Sequence, residues 1–247
     1  DPNVRSVISD IHRRVVTYGT NRQAMVRAEN IQHHAGSTRF EVYRDTKLQG
    51  NITLGAPGLH NVQNALAAVC VGLELEVPFE TITSALKMYT GVDRRFDIKG
   101  EPGGVLIVDD YAHHPAEIGA TLDAAAKGWP DRRIIGVFQP HLYSRTKDLA
   151  EQFARSFVNA DVLVLTDIYG AREKPLEGVD GMLLVDLARR YGHSDVRYVA
   201  DKTELPGYLM NLVKRGDLVI TMGAGDIWRY GKTFYEQMVQ HAKEVVS

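Results

Sequence analysis

Between residues 14 and 55 apolar and polar residues alternate in short runs: Arg14 to Tyr18, Ala24 to Gln32, Ser37 to Arg44 and Lys47 to Leu54. A period of two puts neighbouring side chains on opposite faces of an extended chain. With Gly36, Asp45 and Gly50 as breakers, the pattern predicts strands of an antiparallel sheet. The period then lengthens. Val62, Leu66, Val69 and Leu73 mark a helix after Pro57 and Gly58, and Phe79, Ile82, Leu86 and Tyr89 mark a second one opened by Pro78.

From about residue 93 strands and helices alternate. Short apolar runs predict strands near 105 to 110, 133 to 139, 161 to 168, 195 to 200 and 217 to 222. Helical spacing fills the gaps near 115 to 127, 146 to 158, 181 to 191, 204 to 214 and 226 to 245. The expectation is an α/β fold, a mostly parallel sheet with helices on both faces, preceded by a partial α/β domain with antiparallel strands. The change in element order divides the chain into 1–92 and 93–247. The first block has too few elements to cover both faces of a sheet, and is expected to be the tail of something larger.

Composition narrows the function classes. The chain has 29 basic and 31 acidic residues, a net charge of −2, so no basic surface supports nucleic-acid binding. The single cysteine, Cys70, allows no internal disulfide or CxxC metal site and lies among Ala67, Ala68, Val69 and Val71, which predicts a packed thiol. No signal peptide or membrane-length apolar run is visible, so the expected location is cytoplasmic, without membrane insertion.

Chemistry-bearing residues cluster where the strands of the second block end. Asp109, Asp110, Tyr111, His113 and His114 follow the first strand, and Gln139, His141, Tyr143 and Arg145 the second. Asp167, Tyr169, Arg172 and Glu173 follow the third, and Gly223, Ala224, Gly225 and Asp226 the last. In a parallel sheet the carboxyl ends of the strands form the ligand crevice. Each cluster also has a plainer reading. Asp110 and His114 suit caps, Arg145 suits a surface pair with Asp148, and Asn61 suits a helix N-cap. Arg94 and Arg95 suit either a phosphate or ribose contact or a solvated hinge. Two Asp beside two His also suit a metal site. No G-x-x-x-x-G-K-[ST] phosphate cradle occurs.

The motifs GLHNVQNALAA at 58–68, GVDRRFD at 91–97, VDDYAHHP at 108–115, FQPHLYSRT at 138–146 and GAGDI at 223–227 together resemble the Mur ligases of peptidoglycan synthesis. The resemblance covers essentially the whole chain. It implies that residues 1–92 are the carboxyl-terminal part of a central ATP-binding domain and that residues 93–247 are a Rossmann-like ligase domain. A phosphate cradle and magnesium ligands are then expected upstream. Among the family's reactions it implies the ATP-dependent addition of L-alanine to UDP-N-acetylmuramate through an acyl phosphate, which this chain alone is not expected to perform. Carried over by motif, Asn61 and Asn64 contact adenine, Arg95 touches ribose or phosphate, Asp110 holds the ribose hydroxyls, and Tyr111, His113, His141 and Arg145 bind L-alanine. His113 and His141 are the candidates for handling the amine proton. Leu142 stands where some relatives carry arginine. The rivals are the murein tripeptide ligase of the same family, a metal-dependent phosphoesterase built on the Asp and His cluster, and a noncatalytic nucleotide-binding module.

Overall fold

The structure, a computed structural model, describes residues 2–89 and 91–246. Contacts divide the chain into two compact units, residues 1–90 and 91–247.

The first unit opens with helix α1 (Pro2–Val7), which the sequence pattern did not predict, and continues with strands β1 (Tyr18–Gly19), β2 (Val26–His34), β3 (Ser37–Arg44) and β4 (Lys47–Leu54). Helices α2 (Leu59–Glu74) and α3 (Phe79–Met88) follow. The sheet order is β1-β2-β3-β4, with the last three antiparallel. Alternation sends Val26, Ala28, Phe40, Val42, Ile52 and Leu54 inward against Val62, Leu66 and Val69 of α2. Burying each of the larger of these side chains stabilises by about 1.5–3 kcal/mol. Cys70 is buried in the same cluster, and burial raises its thiol pKa.

Two expectations for this unit are corrected. Only Tyr18 and Gly19 of the run from Arg14 form a strand, and they pair parallel with β2. Residues 20–25, a run of bends and turns, carry the chain back so that β2 starts beside Tyr18 in the same direction. The strand expected at 24–32 instead occupies 26–34, and a bulge at Asn30 (φ 51°) sets Asn30 and Ile31 opposite Phe40 alone.

The second unit contains β5 (Asp97–Gly100), β6 (Leu106–Asp110), α4 (Pro115–Gly128), β7 (Ile134–Phe138), α5 (Tyr143–Asp148) and α6 (Ala150–Ser156). It continues with β8 (Val162–Thr166), α7 (Gly181–Arg190), β9 (Val196–Val199), α8 (Leu205–Leu212), β10 (Leu218–Met222) and α9 (Ile227–Val246). The strands order as β5-β6-β10-β7-β8-β9, all parallel except β5, which pairs antiparallel with β6 at the edge. β5 escaped the sequence reading because DIKG has neither an apolar run nor an alternation. The helix expected at 146–158 is two, α5 and α6, broken at Leu149.

β6, β7, β8 and β10 are buried throughout, as strands covered on both faces must be. Ile118 and Leu122 of α4, Phe153 of α6 and Leu184 of α7 pack in one core cluster. Leu205 and Leu209 of α8 pack with Ile227 and Phe234 of α9 in the other. β10 returns to the middle of the sheet between β6 and β7, so the carboxyl ends of these three strands lie side by side. No helix of the described residues is long and apolar enough to cross a membrane.

Candidate active site

Four aromatic rings from three strand ends form a row along the rim of the second unit. Tyr111 meets His113 edge-on with centroids 5.1 Å apart, His113 meets His141 edge-on at 6.3 Å, and His141 stacks on Tyr169 at 5.6 Å with planes 13° apart. The loops after β6, β7 and β8 thus bring together the Tyr111, His113 and His141 named from sequence, and add Tyr169 behind them. The chain at Tyr169 is fixed by backbone: its amide donates to Pro140 (2.8 Å), and the Leu142 amide donates to its carbonyl (3.0 Å).

His141 Nδ1 and Arg145 Nη1 are buried and have no hydrogen-bond partner. Arg145 does not pair with Asp148, and among the described residues no carboxylate bridges it. A buried donor or imidazole nitrogen left without a partner costs roughly 1–3 kcal/mol, so the pair has hydrogen-bonding capacity that the fold itself does not use. Burial, the neighbouring Arg145 guanidinium and His113 together hold His141 below the ordinary imidazole pKa of 6.5. The segment entering α5 is shaped by Leu142, whose φ of 71° is a left-handed conformation that leucine rarely adopts. Glu173, after β8, accepts from the Ser144 amide (2.9 Å) and hydroxyl (2.5 Å), anchoring the start of α5.

The carboxylates of the DDYAHHP segment turn inward. Asp109 is 4 % exposed and accepts from Arg94 Nε (3.0 Å) and the Thr221 hydroxyl (2.7 Å). Asp110, also 4 % exposed, takes three donors: the amides of Phe96 (2.9 Å) and Ala112 (2.7 Å) and the Thr121 hydroxyl (3.1 Å). Burial raises its pKa against those three bonds. A ribose hydroxyl reaching Asp110 has only the remaining lone pair of Oδ1, so tying the turn to α4 and to Phe96 is its visible work. His114 is the N-cap of α4, accepting from the Ala116 amide, while the Glu117 carboxylate receives the amides of His113 (3.0 Å) and His114 (3.2 Å). Although burial opposes it, those donors and the His113 and Arg95 charges leave Glu117 with a lowered pKa. Glu117 was not singled out from sequence, because its role exists only once the helix forms.

Arg94 and Arg95 divide. Arg94 is bound into the rim through Asp109 and the Gly223 carbonyl (2.7 Å) and lies over the Tyr111 ring at 4.9 Å. Arg95 has a side chain 49 % exposed, with a guanidinium 3.6 Å from Glu117 and 5.5 Å from the Tyr111 centroid, accessible to a ligand. In the first unit, Asn61 is not the cap of α2. That position is Gly58 at φ 96°, and the Asn61 side chain donates to the Pro57 carbonyl (2.7 Å). Asn64, one turn on, is exposed.

A metal site does not assemble from this cluster. Among the described residues no three His, Cys, Asp or Glu side chains gather to hold an ion. Both aspartates are committed to internal donors and His114 to its helix, so the donor set of a metal-dependent phosphoesterase is absent here.

Residues 94–225 match the family described as Mur ligase, glutamate ligase domain, and residues 1–72 match the Mur ligase middle domain. The chain belongs to the Mur ligase family. It is 57% identical over 236 residues to the UDP-N-acetylmuramate--L-alanine ligase of Salinibacter ruber, covering 96% of this chain and 50% of that protein. It is 46% identical over 238 residues to the enzyme of the same name from Geobacter sulfurreducens, covering 96% of this chain and 52% of that one. The fold superposes on the crystal structure of UDP-N-acetylmuramate-alanine ligase from Thermotoga maritima with a TM-score of 0.77 and 27% identity, covering 90% of this chain and 47% of that chain. The chain therefore spans about half the length of the curated relatives it matches.

Proposed function

We propose that this chain supplies the amino-acid-binding half of an ATP-dependent amide-forming ligase that joins L-alanine to UDP-N-acetylmuramate. The observation that carries the reading is the pair of buried, unpartnered groups, His141 Nδ1 inside the ring row and the neighbouring Arg145 Nη1. A free amino acid presents a carboxylate and an ammonium a few ångströms apart. The guanidinium matches the first by charge-assisted hydrogen bonds, and a neutral imidazole suits removal of a proton from the second. The names of the relatives at 46–57% identity support the same reaction.

The chemistry follows from the poor electrophilicity of a carboxylate. ATP transfers its γ-phosphoryl group to the sugar carboxylate, and the neutral amine of L-alanine attacks the resulting acyl phosphate. The C–N bond forms, the C–O bond to phosphate breaks, and phosphate departs with the bonding pair. An ammonium has no lone pair to attack with, so its proton must leave first. His141, held neutral near pH 7 by burial and by Arg145, is the acceptor we assign, with His113 beside it. Tyr111 walls the pocket next to His113.

In this reading residues 1–92 are the end of a central ATP-binding domain and residues 93–247 the ligase domain of a cytoplasmic enzyme. Asn61 and Asn64 are assigned to adenine, Arg95 to ribose or phosphate, and Asp110 to holding the nucleotide loop. Magnesium, which the family resemblance implies, finds no ligand set among the described residues. The test is phosphate release by the full-length protein. Release that requires ATP, UDP-N-acetylmuramate and L-alanine together is the expected result; equal release with a tripeptide in place of L-alanine, or without the sugar nucleotide, would refute the assignment.

A further inference from the structure

The ring row and Arg145 come from the ends of β6, β7 and β8, yet a bonded chain extends across two more strand ends. Lys202, just after β9, places Nζ 2.7 and 2.8 Å from the two carboxylate oxygens of Asp226, between β10 and α9. Asp226 Oδ1 also accepts from Gln139 Nε2 (2.9 Å), after β7, and Gln139 Oε1 in turn receives the Ile227 amide (3.2 Å). The same ammonium lies 5.3 Å from the centroid of Tyr169, the ring on which His141 stacks, and 5.8 Å from that of Tyr230. Gly225 closes the assembly: a Cβ there would lie 2.4 Å from Gln139 Oε1 and 2.7 Å from Tyr169 Cγ, so only glycine lets the loop press onto both.

We propose that Lys202 is a positioning residue for His141, acting through Tyr169 and through the Asp226–Gln139 brace that joins the carboxyl ends of β7, β9 and β10. The inference rests on the reading of His141 as part of the L-alanine site. Two properties of Lys202 support it. It is half-buried and held by both oxygens of one carboxylate, so it does not sample solvent as a free surface lysine does. Burial works against Asp226, yet the Lys202 and Gln139 bonds leave its carboxyl below the usual range, which keeps it anionic and the brace closed. An ammonium on an aromatic face also favours one ring placement over the rotated alternatives. His141 has no hydrogen bond at Nδ1, so ring contacts hold its plane, and the parallel stack on Tyr169 at 5.6 Å is tighter than the edge contact with His113 at 6.3 Å.

The experiment uses Lys202→Met, which keeps length and apolar stem but removes the charge, and Lys202→Arg, which restores the charge. In the 247-residue chain, the ring protons of His141, assigned with His141→Gln, should show an upfield ring-current shift from Tyr169. The shift should shrink in Lys202→Met and return in Lys202→Arg. In the full-length protein, Lys202→Met should lower kcat/KM for L-alanine by roughly tenfold through misplacement of the imidazole, with the KM for ATP unchanged and Lys202→Arg recovering most of the loss. An unchanged His141 shift in Lys202→Met, or equal losses for ATP and L-alanine, would overturn the inference. Activity that never depends on L-alanine, with the ring shift behaving as described, would leave the brace standing and refute the proposed function instead.

Discussion

The two ends of the parallel sheet in the second unit carry similar numbers of charges and use them in opposite ways. At the amino ends, charges close on one another. Arg133, before β7, holds Asp217, before β10, by two bonds of 3.0 and 2.6 Å, and the Lys214 amide adds a third at 2.7 Å. Arg197 and Asp195 pair bidentately at β9, Arg132 reaches Glu101 at 2.6 Å, and Asp161 accepts the Ile134 amide at 2.7 Å. At the carboxyl ends Asp109, Asp110 and Asp226 are equally well satisfied, but they share the rim with groups that are not: His141 Nδ1 and Arg145 Nη1. Strain collects at this end too, in Arg94 (φ 59°), Phe96 (φ 47°) and Leu142 (φ 71°). A charged cluster is thus no sign of a site by itself. What separates the ends is whether a charge is left over after the fold has used what it needs: the unpartnered nitrogens at the amino ends belong to His193, which burial keeps neutral, whereas at the carboxyl ends a guanidinium is left beside an imidazole.

That contrast can be broken at either end. Asp217→Ala should be the most damaging to stability, by about 3 kcal/mol, since it strands the Arg133 guanidinium and an amide beside a buried position. Chemical denaturation would show the loss, and the KM for L-alanine in the full-length protein should not move. Arg145→Ala should do the reverse. It removes a cation with no partner to strand, so the melting temperature should hold, while kcat/KM for L-alanine falls by about a hundredfold and the ATP dependence is retained. If Arg145→Ala instead unfolds the protein, Arg145 belongs with the structural charges of the other end.

Gly225→Ala offers a smaller and mixed effect, about 2 kcal/mol of stability from forcing Tyr169 and Gln139 apart, accompanied by a weakened response to L-alanine. A substitution tolerated on both counts would mean that the loop does not press on the ring row. The smallest effect is in the titration of His141. Its pKa lies below 6.5 in the folded state, so on acidification the unfolded chain takes up this proton first. Its contribution to stability is complete above pH 6.5 and declines as pH falls from 6.5 through the folded value. NMR titration should place the midpoint below 6.5 and move it upward in Arg145→Ala; a midpoint at or above 6.5 would mean that burial and Arg145 do not depress it.

Much of this organisation was legible before any coordinates. Buried parallel strands write themselves as unbroken apolar runs, which is why β6, β7, β8 and β10 lie within a residue or two of their expected places. The polar clusters after those runs were equally visible, since a charge next to a buried strand must be paired or used. His114 read as a cap and is one. The strand β5 was missed because its pairing with β6, rather than its own composition, makes it a strand.

The sequence by itself determined the element order, the α/β class, the family motifs and the identity of Tyr111, His113, His141 and Arg145 as candidates, because these depend on local periodicity and short spacings. Tertiary structure alone decided which of the charged groups are spent. Asp110 is consumed by Phe96, Ala112 and Thr121, and Lys202 is recruited by Asp226 across 24 residues and by Tyr169 across a strand end. Hydrogen-bond satisfaction is a property of groups that meet in space. Partners contributed by separate strands leave no mark at a fixed spacing, so a spent carboxylate and an available one read alike along the chain.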